Sequence, residues 1–250
     1  MMARDISRAL DPVLLARDCG IEPDPWQASL LRTMPRRALL CCSRQSGKST
    51  LSGLIALHTA LYQPGALVLL VSPSQRQSGE LFRVVMGFYG RLEGAPPLMA
   101  ESVLRCKFAN GSRIVSLPGS ERTTRGYARA SLVVVDEAAR CDDDLITALR
   151  PSMATSEGGG RLICLSTPAG RIGFFYESWE HGGEQWYRVR VPASECPRIS
   201  PEFLADELRA HGPMKFAQEY ELSFIDDSCA AFAGGIIEAA FSTEIRPLWM

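Results

Sequence analysis

Four short apolar runs, each followed by a stretch with helical spacing, constrain this chain more than any other feature. They occupy residues 38–42, 66–71, 132–135 and 161–165. Strands buried on both faces read as continuous apolar runs, and parallel neighbours need a crossover between them, usually a helix. The pattern predicts an α/β fold in three layers, with a mainly parallel central sheet covered by helices on both faces. Helices are expected over 49–61, stopped by Gln63-Pro64-Gly65, over 75–92 and over 145–153. Two further runs, 103–108 and 113–117, flank Asn110-Gly111 and predict a β-hairpin. Residues 11–32 read as one or two short helices interrupted by Glu22-Pro23-Asp24-Pro25. Past the fourth strand, 186–191 reads as a strand, and 201–211 and 214–222 read as helices.

The balance of residues fits that fold. Of 250 residues, 46% are apolar and 22% charged, which excludes a disordered tail or a fibrous repeat. A formal net charge of −1 excludes a generally cationic nucleic-acid binder, so any DNA contact must come from a local patch. The eight cysteines form no C-x-x-C pair and several lie inside the apolar runs; with no apolar leader at the amino terminus, they are expected to be reduced and mostly buried. The histidines 58, 181 and 211 are isolated, so no metal cage is expected, and no apolar stretch approaches the ~20 residues that span a bilayer.

Between the first strand and its helix lies Cys42-Ser43-Arg44-Gln45-Ser46-Gly47-Lys48-Ser49-Thr50. A strand-to-helix turn presents successive N–H groups to an anion, backed by the helix N-terminus. Gly47 lets the main chain approach a phosphate, Lys48 can reach the β- and γ-phosphates, and the Ser49 hydroxyl suits Mg²⁺. Only three of the 27 basic residues are lysines, so a lysine at this junction stands out. The general phosphate-loop pattern asks for Gly where Cys42 stands.

The run 132–135 ends in Asp136-Glu137, two carboxylates at the carboxyl end of a core strand, where open α/β sheets place ligands. Asp136 is the expected Mg²⁺ holder. Glu137 is the expected general base that orients and deprotonates water.

Together these segments resemble the ATPase (motor) domain of the large terminase subunit of tailed bacteriophages. The loop Ser43-Arg44-Gln45-Ser46-Gly47-Lys48-Ser49 resembles that family's own version, so Cys42 departs from the general pattern but not from this one. Pro25-Trp26-Gln27 resembles its adenine-recognition element, and 132–139 its acidic motif. Leu165-Ser166-Thr167-Pro168 resembles its coupling motif, and 216–226 the end of the motor domain. The resemblance implies a P-loop NTPase fold of the RecA-like type with a small C-terminal subdomain. It also implies ATP and Mg²⁺ as ligands, held by Gln27, Arg44, Gln45, Ser46, Gly47, Lys48, Ser49, Thr50 and Asp136. Ser166 and Thr167 would sense the γ-phosphate and pass its loss to the neighbouring subdomain. Arg125 would be an arginine finger, with Arg122 and Arg129 as competitors.

The implied function is that of a DNA-packaging motor. Its partners would be double-stranded DNA gripped without regard to sequence, a portal protein, a small terminase subunit and further copies in a ring, in the cytoplasm of a bacterial host and without a membrane. The implied organisation is an N-terminal segment 1–36, an ATPase core 37–190, a subdomain 191–227 and a linker 228–250 toward a nuclease domain that this sequence lacks, so no DNA cleavage is expected. Two other readings stay open: a nucleotide-binding prophage remnant with little turnover, and another P-loop ATPase such as a helicase.

Overall fold

The computed structural model describes residues 2–119, 126–156 and 158–225. Three short helices lead, α1 (Met2–Leu10), α2 (Pro12–Asp18) and α3 (Pro25–Thr33). The alternation follows as β1 (Arg37–Cys42), α4 (Lys48–Tyr62), β2 (Leu67–Ser72) and α5 (Gln75–Arg91). Next come β3 (Leu98–Ser102), β4 (Arg105–Phe108), β5 (Arg113–Pro118), β6 (Ala130–Asp136) and α6 (Asp143–Ala154). The remainder is β7 (Arg161–Ser166), α7 (Gly173–Glu180), β8 (Tyr187–Val191) and α8 (Pro201–Glu219).

Among the described residues, eight strands form one sheet in the order β3-β4-β5-β2-β6-β7-β1-β8. From β5 to β8 every pairing is parallel, and only β3-β4 and β4-β5 are antiparallel. The sheet separates two apolar layers because strand side chains alternate. β1 sends Ala38, Leu40 and Cys42 into one and Leu39 and Cys41 into the other; β6 divides Leu132 and Val134 from Val133 and Val135 in the same way. α4 and α5 cover the first layer, α6 and α7 the second. This is the expected architecture. The seven described cysteines are free and all but Cys141 are buried.

The hairpin forms as anticipated, with Lys107 opposite Arg113 and Asn110-Gly111 at the turn, where Gly111 adopts φ +84°. Three elements escaped sequence reading. β3 is an edge strand exposed along most of its length, so it has no buried stripe to betray it. α1 is short and likewise mostly exposed. α7 opens on Gly173, a poor helix former. The break foreseen between 211 and 214 is present inside α8, where Gly212 takes φ 75° and ψ 167° ahead of Pro213. The helix ends at Glu219 rather than at 222.

Candidate functional site

Parallel pairing aligns the carboxyl ends of three neighbouring strands. Cys41 of β1 lies beside Ser166 of β7, and Leu165 of β7 beside Asp136 of β6. The phosphate-loop segment, the coupling segment and the acidic pair therefore open on one edge of the sheet. β7 stands between the other two.

The loop after β1 is built to turn sharply and stay there. Gln45 takes φ 58° and Gly47 φ 90°, and Gly47 caps α4. The Ser46 hydroxyl donates to Ser43 O at 2.8 Å, and Ser43 N–H donates to Val191 O at 3.0 Å, which fastens the loop to the end of β8. Lys48 is buried, and its ammonium donates to Cys42 O (2.9 Å) and Ser43 O (3.1 Å). Arg44, Gln45 and Ser49 are exposed, and Thr50 is half-buried.

Gln27 is 4% exposed and wedged against this loop. Its Oε1 accepts from Asp24 N–H at 2.9 Å, closing a capping box at the start of α3, and its Nε2 donates to Gly47 O at 3.4 Å. Asp24 in turn receives both arms of Arg198, each at 2.7 Å, and Arg198 Nη2 reaches Ser46 O at 3.3 Å. That guanidinium holds the Asp24 carboxyl below its ordinary range, against an opposing push from burial.

At the end of β6 the chain turns through Glu137, which adopts the left-handed φ of 53° before a 3₁₀ turn, Ala138–Arg140. A non-glycine residue in that conformation is unusual and marks a backbone held by its surroundings. Glu137 N–H donates to Asp136 Oδ1 at 3.1 Å. Burial, and secondarily the negative charge of Glu137, push the Asp136 carboxyl up to about 6; Lys48 opposes them in part. Its ionised form is the one a cation stabilises, and an exposed Ser49 hydroxyl and a carboxylate are the hard oxygen donors Mg²⁺ takes. The residues present fit that ion.

Sequence reasoning missed a second tier of side chains that binds these parts together. Arg140 Nη1 donates to Glu137 Oε2 at 2.8 Å, to Thr167 Oγ1 at 3.0 Å, and to Ser166 Oγ and Thr167 O at 3.4 Å. Its Nη2 donates to Glu219 Oε1 at 3.0 Å. Ser166 Oγ also donates to Glu137 Oε2, at 3.3 Å. Glu219, near the end of α8, takes Arg44 on Oε2 at 3.0 Å. Burial raises the Glu219 carboxyl, yet Arg44, Arg140 and the Thr167 hydroxyl outweigh it and leave it below the usual carboxylate range. Gln218 Nε2, beside it, donates to Ala169 O at 2.7 Å. Arg125 and Arg122 lie outside the described residues; Arg129 is exposed, with φ 58°.

A parallel sheet with a lysine-bearing loop at one strand end and an acidic pair two strands away defines a P-loop NTPase of the RecA-like class. The family model described as terminase large subunit, T4likevirus-type, N-terminal, matches residues 39–239, and the chain belongs to that family. Large terminase subunits of Thermus phage G20c and Thermus virus P23-45 are each 25% identical to it, over 86% of this chain and 51% of theirs. The chain spans about half the length of those curated relatives. Among solved structures, the ATPase domain of the Thermus phage P74-26 large terminase superposes with a TM-score of 0.73 at 21% identity, covering 84% of this chain and 97% of that one. The HK97 bacteriophage large terminase gives 0.67 at 16% identity over 81% and 50% of the two chains. A large terminase of a thermophilic bacteriophage, solved in complex with ATP-gamma-S, gives 0.61 at 11% over 87% and 52%.

Proposed function

We propose that this chain is the ATP-hydrolysing motor unit of a phage DNA-packaging terminase. The observation that carries the reading is the convergence of three strand ends on one edge of the sheet, with Ser166 of the middle strand hydrogen-bonded to Glu137 of its neighbour at 3.3 Å. Membership of the terminase family and the ATP-gamma-S complex of a structural relative support it.

In this reading the N–H groups of Gln45 to Ser49 and the Lys48 ammonium bind the triphosphate, and Arg44 adds a cation beside it. Ser49 and Asp136 would hold Mg²⁺, which when bound offsets the charge of the phosphate oxygens. Glu137 accepts a proton from water whose oxygen bonds to the γ-phosphorus; the bond to the β–γ bridging oxygen breaks and ADP leaves. Ser166 and Thr167, both buried, report the loss of the phosphate to α8 through Arg140, which also holds Glu219. Gln27, by holding Gly47, shapes the adenine side of the loop, and Arg125 serves a neighbouring copy as its finger. The core then spans 37–190 and the moving subdomain 191–227. Double-stranded DNA, a portal protein, a small subunit and further copies in a ring, within a bacterial host, complete the assembly.

The test is a pair of variants. Glu137→Gln is expected to keep ATP binding while losing hydrolysis by about 10²-fold or more, whereas Lys48→Ala impairs both. Hydrolysis by Glu137→Gln at the parent rate would remove the base assignment. Mixing Arg125→Ala with Glu137→Gln protein is expected to restore turnover in assembled rings, and no recovery there removes the finger.

A further inference from the structure

We propose that Arg140 is the positioning residue for Glu137, and that its second arm makes the placement of that carboxylate depend on the position of α8. The proposal rests on the reading of Glu137 as the base.

An arginine three residues beyond a glutamate on a turn is ordinarily a solvated pair worth little. Arg140 differs in what else it holds. One nitrogen touches Glu137, Ser166 and Thr167; the other holds Glu219, a carboxylate whose side chain is only 7% exposed. Three separated segments, β6's turn, the end of β7 and the end of α8, thus meet on one guanidinium. The planar fork is suited to this, because its donors diverge in fixed directions and a lysine ammonium offers only a point charge.

The choice of oxygen matters. Arg140 and Ser166 both use Oε2 of Glu137. The bonds fix the rotamer and still leave Oε1 as the acceptor for a water proton, so the clamp orients the base without occupying it. The left-handed backbone at residue 137 sets the carboxylate and the following turn in one unit, which brings Arg140 back over it. Displacement of α8 pulls on Nη2, and the same rigid group turns Nη1 relative to Glu137. Movement of α8 is thereby read at the base.

The experiment compares the full chain with Arg140→Gln, Arg140→Lys, Glu219→Gln and the Arg140→Gln/Glu219→Gln double variant, with Glu137→Gln as the reference. Arg140→Gln is expected to lower kcat about tenfold or more while the Kd for ATP stays within about twofold. Arg140→Lys recovers part of kcat. Glu219→Gln lowers kcat in the parent by more than it does in Arg140→Gln, because the two share one link, while the release of Arg44 from Glu219 is common to both backgrounds. Hydrogen exchange provides the readout independent of turnover: Arg140→Gln accelerates it in both 137–141 and 201–219. Parent-like kcat in Arg140→Gln alongside a dead Glu137→Gln overturns the proposal, as do additive effects of the two substitutions. Active Glu137→Gln counts against the assignment of Glu137 as the base instead, and a parent without turnover counts against the ATPase reading. Exchange then decides the link by itself, and unchanged protection over 201–219 overturns it. Should Arg140→Gln fail to fold, Arg140→Lys and Glu219→Gln carry the same comparison.

Discussion

Arg198 grips Asp24 with both arms of its guanidinium, at 2.7 Å each, across 174 residues of sequence. The pair closes over the phosphate loop, since Nη2 also takes Ser46 O. Arg198→Ala leaves Asp24 without its partner and the loop without a brace. The expected loss of stability is about 1 kcal/mol, because the arginine is half exposed, seen as a drop of roughly 2–4 °C in Tm. Nucleotide affinity, measured by calorimetry, is expected to fall as well, because the brace holds Ser46 of the loop. Unchanged affinity at reduced Tm would reduce the brace to a surface ion pair.

Gly47 serves two demands at once. Its φ of +90° disfavours any side chain, and a Cβ there would lie 2.6 Å from Gln27 Nε2. Gly47→Ala is expected to cost about 1–3 kcal/mol of stability, measured by urea unfolding. Adding Gln27→Ala relieves the collision and leaves the backbone cost, so the double variant should regain only part of the loss. Full recovery would assign the whole effect to packing.

The acidic pair gives a pH prediction with a definite sign. Asp136 titrates near 6 in the folded chain, above its ordinary value near 3.9 when unfolded. Ionised Asp136 therefore costs stability above pH 6, and that cost is absent below the unfolded value. Asp136→Asn is expected to stabilise the nucleotide-free protein at pH 8 by about 1–2 kcal/mol, with the gain vanishing toward pH 4. On the proposed function, the parent is expected to gain Tm with Mg²⁺ and ATP and the variant to lose that gain. A gain independent of pH would show that charge is not its source.

The opposite sign applies to Asp18. Arg4 foremost, then Arg8, hold its carboxyl down to about 2 against the push of burial. Its contribution is present above the unfolded value and is lost as pH falls through about 2. Asp18→Asn is expected to lower Tm by a few degrees at pH 7 and by progressively less between pH 4 and 2. Equal losses at both ends of that range would point to packing of α1 and α2 rather than to the ion pair.

The strands that build the site were legible in the sequence because a buried parallel strand has no polar face to interrupt its apolar run. Asp136 and Glu137 were legible because they sit where such a run stops, and Lys48 because it opens the helix that follows one; chemistry at strand ends leaves a local mark. Arg140, Arg198 and Glu219 left none. Arg198 finds Asp24, and Glu219 finds Arg44, only after the sheet has brought distant segments together, and a single sequence carries no record of that meeting. β3 was invisible for the converse reason, since a mostly solvent-exposed strand need not alternate.

The place of β7 between β1 and β6 has a consequence for how chains of this kind can change in length. Side chains in a strand alternate between faces, so adding or deleting one residue within 161–165 would swing Ser166 into the wrong layer and unseat it from Glu137. No neighbouring adjustment repairs such an error, because the strand is fixed on both flanks. Indels are therefore expected to be purged from this stretch and to collect instead at the far, antiparallel margin of the sheet, where β3 can grow, shrink or vanish without the chemistry noticing.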